Sequence, residues 1–238
     1  MDWLNRTELL VGKDQLAKLI DKNILIVGLG GVGAYAAEML CRAGIGKLTL
    51  VDGDVVEITN LNRQLPGTHS NLGKIKAEVL ADRFRDINPD IELVVIHEYI
   101  REEQMIEILQ TNYDYVVDCI DTLTPKLFLI HHSLLRGLKL VSSMGAGGKM
   151  NPELIQSSDI SKSYNCKLAR MLRKRLGRMG IRNGFKVVFS PEEVPEMAVR
   201  LEEGVNKKST VGTISYMPPA FGCHIASVVI RDLLSGDS

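Results

Sequence analysis

The stretch from Ile24 to Leu40 reads "ILIVGLGGVGAYAAEML", and its reading decides the fold. Ile24–Val27 is an uninterrupted apolar run of strand type. From Val32 onward small and apolar residues recur at helical spacing, and Gly28, Gly30, Gly31 and Gly33 stand at the junction. A strand that enters a glycine turn and opens a helix aims backbone N–H groups and the positive end of the helix dipole at phosphate oxygens. The next apolar run, "KLTLVD", ends on Asp52, where nucleotide-binding sheets place the carboxylate that takes the ribose hydroxyls. These residues point to a nucleotide and leave nicotinamide, flavin and ATP open.

Outward from that junction, strand and helix patterns alternate. Helices are expected over Val32–Arg42, near Lys74–Arg85, over Arg101–Leu109 and through "KLFLIHHSLL". Between them lie the strand-like runs "ELVVIHE", "YDYVVDCID" and "KLVSSMGA". The alternation predicts an α/β, Rossmann-like, doubly wound and mostly parallel sheet with a C-terminal strand–helix extension. The 238 residues, 45% of them hydrophobic, suffice for one domain over residues 1–238. A nucleotide-binding core is expected over 22–146 and a substrate-binding and dimerisation extension over 147–238. In the extension, "ELIQSSDI" and "FKVVFS" read as a strand pair flanking a basic helix. The acidic stretch 191–210 reads as a mobile loop or lid.

Composition narrows the setting. Acidic and basic residues number 29 each, so any affinity for nucleic acid must come from local clustering. Cys41, Cys119, Cys166 and Cys223 are widely spaced with no CxxC pair, which argues against a disulfide scaffold or a zinc clip and predicts a cytoplasmic location. The apolar run between Pro219 and Arg231 is too short for a bilayer, so no membrane is expected and a buried helix is. The N-terminus lacks the apolar stretch of a signal peptide.

The charges around the glycine turn favour group transfer over redox chemistry. A hydride-transfer site asks little of the protein near the phosphates, whereas moving an AMP group calls for cations and a metal carboxylate around a triphosphate. Arg63 and Lys76 follow the ribose strand and are placed to neutralise phosphates. Asp121 ends a later strand, on the side where an open sheet binds ligands and Mg²⁺ would sit; Asp118, in the same strand, faces into the sheet. Asp54 either caps the following loop or assists the ribose.

"GLGGVG", "VDGD", "NLNRQ", "GKIKAEVL" and "DCID", in that order, resemble the ATP-binding core of the ubiquitin-activating-type superfamily. The resemblance implies ATP and Mg²⁺ as cofactors. It assigns Asp52 to ribose, Asn60, Arg63 and Gln64 to the nucleotide lining, Lys76 to phosphate and Asp121 to Mg²⁺. Arg6 matches an arginine inserted into the partner subunit's site, which implies a homodimer. The sulfur-carrier activators of that superfamily have two CxxC pairs and a crossover cysteine, and "VNKKSTVGTISYMPPAFG" has Ser209 near the cysteine's place. From "SSMGAGGKMNPELIQ" through "VVFSPEE" the chain is instead similar to the bacterial tRNA threonylcarbamoyladenosine dehydratase branch. It departs from that branch at "YNCKLAR", where the branch often has Asp-Pro and an acidic residue is exchanged for Cys166 or Lys167.

That branch implies a tRNA partner, a cysteine-desulfurase system alongside, and an ATP-dependent dehydration of threonylcarbamoyladenosine to its hydantoin form. Adenylation of a sulfur-carrier C-terminus is the alternative. The run Lys167–Arg182 holds seven cations and no acid, with Arg170, Arg173, Lys174, Arg175 and Arg178 expected to meet RNA phosphates. Leu168, Met171, Leu172, Leu176 and Met179 are expected on its docked side. Cys223 reads either as a relay thiol or as a small packing residue. His131 and His132 read as packing and surface residues.

Overall fold

The computed structural model describes residues 2–201 and 209–235. Two short N-terminal helices, α1 (Asn5–Val11) and α2 (Lys13–Ile20), lead into β1 (Asn23–Val27). The chain continues through α3 (Gly33–Arg42), β2 (Lys47–Val51), α4 (Lys76–Ile87), β3 (Glu92–Ile96) and α5 (Glu102–Ile108). Then come β4 (Tyr115–Asp118), α6 (Leu123–Leu135), β5 (Leu140–Ser143), β6 (Gln156–Asp159), α7 (Lys167–Arg178) and β7 (Lys186–Phe189). A small hairpin, β8 (Val199–Leu201) with β9 (Ser209–Val211), precedes the long last helix α8 (Met217–Leu234).

Seven strands form one sheet in the order β3-β2-β1-β4-β5-β7-β6, all parallel except β6, which runs antiparallel to β7 as the strand pair predicted. The alternation along β1 shows why both faces are covered. Ile24 and Ile26 pack with Leu40 of α3, Phe84 of α4 and Phe221 of α8, while Leu25 and Val27 face Met105 of α5, Ile130 of α6 and Leu172 of α7. The chain winds out to β3 on one side of β1 and returns to β4 on the other. The crevice at the carboxyl ends of β1 and β4 is therefore the switch point where such sheets take ligands.

Several expectations shift. The basic helix ends at Arg178, leaving Arg182 beyond it. Its docked stripe is Ala169, Leu172 and Leu176 with partly buried Leu168, whereas Met171 and Met179 lie on the solvent side because the true packing arc is narrower than the sequence pattern suggested. The stretch expected as a loop over 191–210 holds a helical turn at Glu196–Ala198, and β8 and β9 pair at its end; residues 202–208 lie outside the described residues. The last helix spans 18 residues, more than expected, and among the described residues no helix is long and apolar enough to cross a membrane.

One buried charge ties α3 to α4. Glu38 is almost wholly buried and receives Arg83 through two nitrogens, at 2.6 and 3.1 Å, and Arg42 at 2.8 Å. Burial pushes its carboxyl up, but the two guanidinium groups outweigh that and hold it below the ordinary glutamate value of 4.5. A depressed acid stabilises the fold above its unfolded value and loses that contribution as the pH falls through its folded value. Glu38→Gln should lower stability by about 1–3 kcal/mol at pH 7. In denaturant titrations the gap to the parent protein should narrow as the pH drops below 4.5.

Candidate nucleotide-binding site

The turn after β1 is built by close backbone approaches. Gly28 has φ +90°, and a β-carbon there would lie 2.7 Å from the carbonyl oxygen of Cys119, just past β4. A β-carbon on Gly33 would collide with the Gly28 carbonyl, so only glycine lets α3 start this close to β1. Gly30 differs: a β-carbon would meet only the Gln64 side-chain nitrogen, at 3.9 Å, which leaves open space over the turn. Gly31 is hemmed in by Pro218 of α8 and by the Arg63 carbonyl.

Asp52, at the end of β2, locks this turn. One carboxylate oxygen accepts the Leu29 N–H at 2.5 Å and the other accepts the Asp54 N–H at 2.8 Å. Burial raises its pKa, opposed by those two N–H groups and by nearby Lys76. Asp54 receives the Lys76 ammonium at 2.7 Å and the Tyr99 hydroxyl at 2.7 Å. Donating to that carboxylate pushes the Tyr99 phenol up to about 12. Lys76 is thus buried and ion-paired with Asp54, close to Asp52.

The segment 60–67 lies against the glycine turn. Asn60 is buried and its amide oxygen accepts the Glu57 N–H at 3.1 Å, so its amide shapes the turn. Its carbonyl accepts from the backbones of Arg63 and Gln64. Gln64 brings its side-chain nitrogen near Gly30, and its buried amide oxygen has no hydrogen-bond partner. An orphaned acceptor beside an open glycine turn fits a ligand with donor groups, as a nucleotide has.

Asp118 is fully buried, as the sequence suggested. It accepts the Lys126 ammonium of α6 at 2.6 Å and the Ser142 hydroxyl of β5 at 2.6 Å, and Lys126 also donates to Ser142 at 3.1 Å. The other Asp118 oxygen accepts the Ile120 N–H at 3.1 Å, shaping the turn that carries exposed Asp121. Among the described residues no group of three or more His, Cys, Asp or Glu side chains is placed to hold a metal. An exposed carboxylate such as Asp121 is of the type Mg²⁺ takes, since that ion shares its coordination among water, one or two carboxylates and phosphate oxygens.

Arg6 is not brought to this cluster. It is exposed on α1, and Leu4, just before α1, packs on Gly44 at the far end of α3 from the glycine turn. Arg170, Lys174, Arg175 and Arg178 are exposed on α7 and form no ion pair with a described residue. Arg173 departs from expectation: it turns inward and donates to the carbonyl of Ser163 at 2.8 Å and to its hydroxyl, pinning α7 to the preceding turn. No described cysteine is in a disulfide, and Cys223 is exposed with its thiol pushed up by partial burial of the sulfur. His132 bonds Glu102 at 3.0 Å.

Sequence reasoning missed Lys126, Tyr99 and Lys149. Lys126 announced itself only as a lone cation before an apolar helical run. Lys149 is buried in the turn after β5, donates to the Glu192 carbonyl and has its pKa lowered by that burial. Tyr99 carried no local signal.

A model of the ThiF family matches residues 4–237. The chain belongs to the ThiF family. It is 37% identical over 238 residues to the tRNA threonylcarbamoyladenosine dehydratase of Bacillus subtilis (strain 168), covering 97% of this chain and 94% of that protein. Its structure is similar to that of E. coli tRNA N6-threonylcarbamoyladenosine dehydratase, TcdA, in complex with ATP, with TM-score 0.90, 33% identity, and 98% and 94% of the two chains covered. The complex of the same protein with AMP gives TM-score 0.88 at 34% identity, with 97% and 93% covered. The glycine turn, Asp52 and the Asp118–Lys126 pair are thus features of a ThiF-family chain.

Removing one partner of a buried ion pair strands the other, at a cost of about 3–5 kcal/mol. Lys126→Met should therefore lower the unfolding free energy by about that much in urea titrations, and Ser142→Ala by clearly less. Equal effects of the two would mean that the ion pair does not hold this end of the sheet.

Proposed function

We propose that this protein is an ATP-dependent tRNA threonylcarbamoyladenosine dehydratase that works with Mg²⁺ as a cytoplasmic homodimer. The observation that carries the reading is the pairing, on one chain, of a phosphate turn flanked by Asp52, Arg63 and Lys76 with an α7 face of exposed cations. The similarity over nearly the full length to proteins of that name supports it.

The chemistry follows from the site. The substrate carboxylate is a poor electrophile because oxide is a poor leaving group. One of its oxygens attacks the α-phosphorus of ATP, and pyrophosphate departs with the electrons of the broken P–O bond. The glycine-turn N–H groups orient the phosphates, Asp52 holds the ribose, and Arg63 with Lys76 faces the charge that builds on the leaving group. Arg6 is assigned to the partner's site, since α1 lies away from its own. Mg²⁺, when bound, would neutralise phosphate charge, with Asp121 as the protein ligand. The carbamoyl nitrogen then attacks the activated carbonyl carbon, AMP leaves with the electrons of the broken C–O bond and the nitrogen's proton passes to water, closing a five-membered ring within one molecule, so little further translational entropy is lost.

Arg170, Lys174, Arg175 and Arg178 are assigned to RNA phosphates, whereas Arg173 supports the helix they stand on. A cysteine-desulfurase system is kept as a partner, with Cys223 as the accessible thiol. Activation of a sulfur-carrier protein fits less well, because α8 and not the segment before it carries that cysteine.

Incubating the protein with ATP, Mg²⁺ and tRNA from cells lacking the enzyme should give a modified nucleoside lighter by one water in mass spectrometry; unchanged mass would overturn the reading. Arg63→Ala and Asp121→Ala should each cut pyrophosphate release by about 10²–10³-fold without unfolding the protein. Neutralising Lys174 and Arg175 together should weaken tRNA binding and flatten the log–log salt dependence by about 1.5.

A further inference from the structure

The geometry points to Asn62 as a positioning residue for Arg63 and, at the same time, as the latch that ties the phosphate end of the site to the segment Val211–Tyr216. The inference rests on the reading of Arg63 as an ATP contact. Asn62 is exposed, and its amide is used at both ends. Its oxygen accepts from Arg63 Nη1 at 2.8 Å, and its nitrogen donates to the Thr213 carbonyl at 3.0 Å.

The Arg63 half has a clear physical content. Nη1 donates to the Thr59 carbonyl at 2.7 Å as well as to Asn62. Two acceptors on one nitrogen fix the plane of the guanidinium. The N–H groups on Nε and Nη2 make no hydrogen bond to a described residue, so the fork is oriented with donors to spare. An arginine held in this way has little rotamer freedom left to lose when an anion arrives.

The latch half follows from what holds the segment on its other side. The Gly148 N–H donates to the Gly212 carbonyl at 2.8 Å, and Tyr216 donates its hydroxyl to the Met150 carbonyl at 2.8 Å. The Val211 and Thr213 side chains crowd Gly147, each 3.2 Å from where a β-carbon there would be. Immediately beyond, Pro218 of α8 rests on Gly31 in the phosphate turn. The segment therefore spans from the turn after β5 to the phosphate turn, and Asn62 is its side-chain tether to the arginine loop.

The test is a double-mutant cycle on the full-length protein, reading ATP affinity by calorimetry with Mg²⁺ and no tRNA, together with amide exchange over residues 211–216. Asn62→Ala should weaken ATP by about 5- to 10-fold in the parent protein. In an Arg63→Ala background the same change should cost less than about twofold, because a positioning residue has nothing left to position. Exchange over 211–216 should speed up in Asn62→Ala and equally in Asn62→Asp, which keeps an acceptor for Arg63 and loses the donor to Thr213. An equal loss of affinity in both backgrounds would show that Asn62 acts directly or by general loosening, and would overturn the positioning role. Unchanged exchange in both variants would overturn the latch. If Arg63→Ala alone left ATP affinity intact, the assignment of Arg63 would fall, taking the positioning half with it, and the exchange data would decide the latch.

Discussion

The structure depends on one approach: the backbone of Gly28, at the end of β1, lies directly against the backbone of Cys119, at the end of β4, with the start of α3 pressed onto the same point. No side chain fits there, so β1, β4 and α3 are brought together more tightly than packing of apolar side chains alone would allow. The consequence is positional. The first N–H groups of the turn and the first residues after β4 share one crevice, and Asp52 on the neighbouring strand closes it by taking the Leu29 N–H. A nucleotide site in this fold is thus a by-product of how two parallel strands on either side of a topological reversal are allowed to touch.

That crevice concentrates charge, and the protein manages it by pairing. Asp118 is fully buried against Lys126 and Ser142, so its charge never faces the ligand and serves instead to shape the turn bearing Asp121. Lys76 is buried but sits on Asp54, whose side chain is about half exposed. The two pairs have different prospects. The first is sealed, and a group that enters the crevice cannot exchange with either partner. The second borders the open side, and on the proposed reading a phosphate approaching Lys76 competes with a carboxylate that is already partly solvated. Tyr99, donating to the other oxygen of Asp54, holds that carboxylate in place until then.

The fold was legible because its signals are periodic and local. Apolar runs on both faces of β1, β2 and β4 announce a covered parallel sheet, and the glycine spacing marks the one turn that must be tight. The candidate nucleotide residues were legible as types in order along the chain, and the structure brings Gly28, Gly30, Asp52, Lys76 and Gln64 to one place. What was hidden depends on contacts between distant residues. Arg173 and Arg175 look alike in a basic run, and only the position of Ser163 makes the first a structural pin. Met171 and Met179 fit a helical stripe, but α6 and the sheet cover a narrower arc than five apolar residues suggest. The pairing of Asp118 with Lys126 joins a strand end to the second turn of a helix, and no spacing rule announces it.

On the proposed reading, the arrangement divides recognition between two kinds of physics. The exposed cations of α7 meet a charged backbone that is the same in every tRNA, so they supply affinity and speed of encounter but no choice of nucleoside. Choice must then fall on the crevice, where only a carboxylate placed opposite the α-phosphorus can react. A free amino acid would satisfy that chemistry as well as the modified adenosine does. What disfavours it is effective concentration: α7 packs on α6, the helix that follows the Asp121 turn, so an RNA bound along α7 presents its carboxylate repeatedly, while a free acid must find the site by diffusion. The neutral overall charge of the chain sharpens this division. With no global field to gather anions, RNA is concentrated only where α7 displays its arginines, and a small carboxylate gains nothing from them that ordinary salt does not screen.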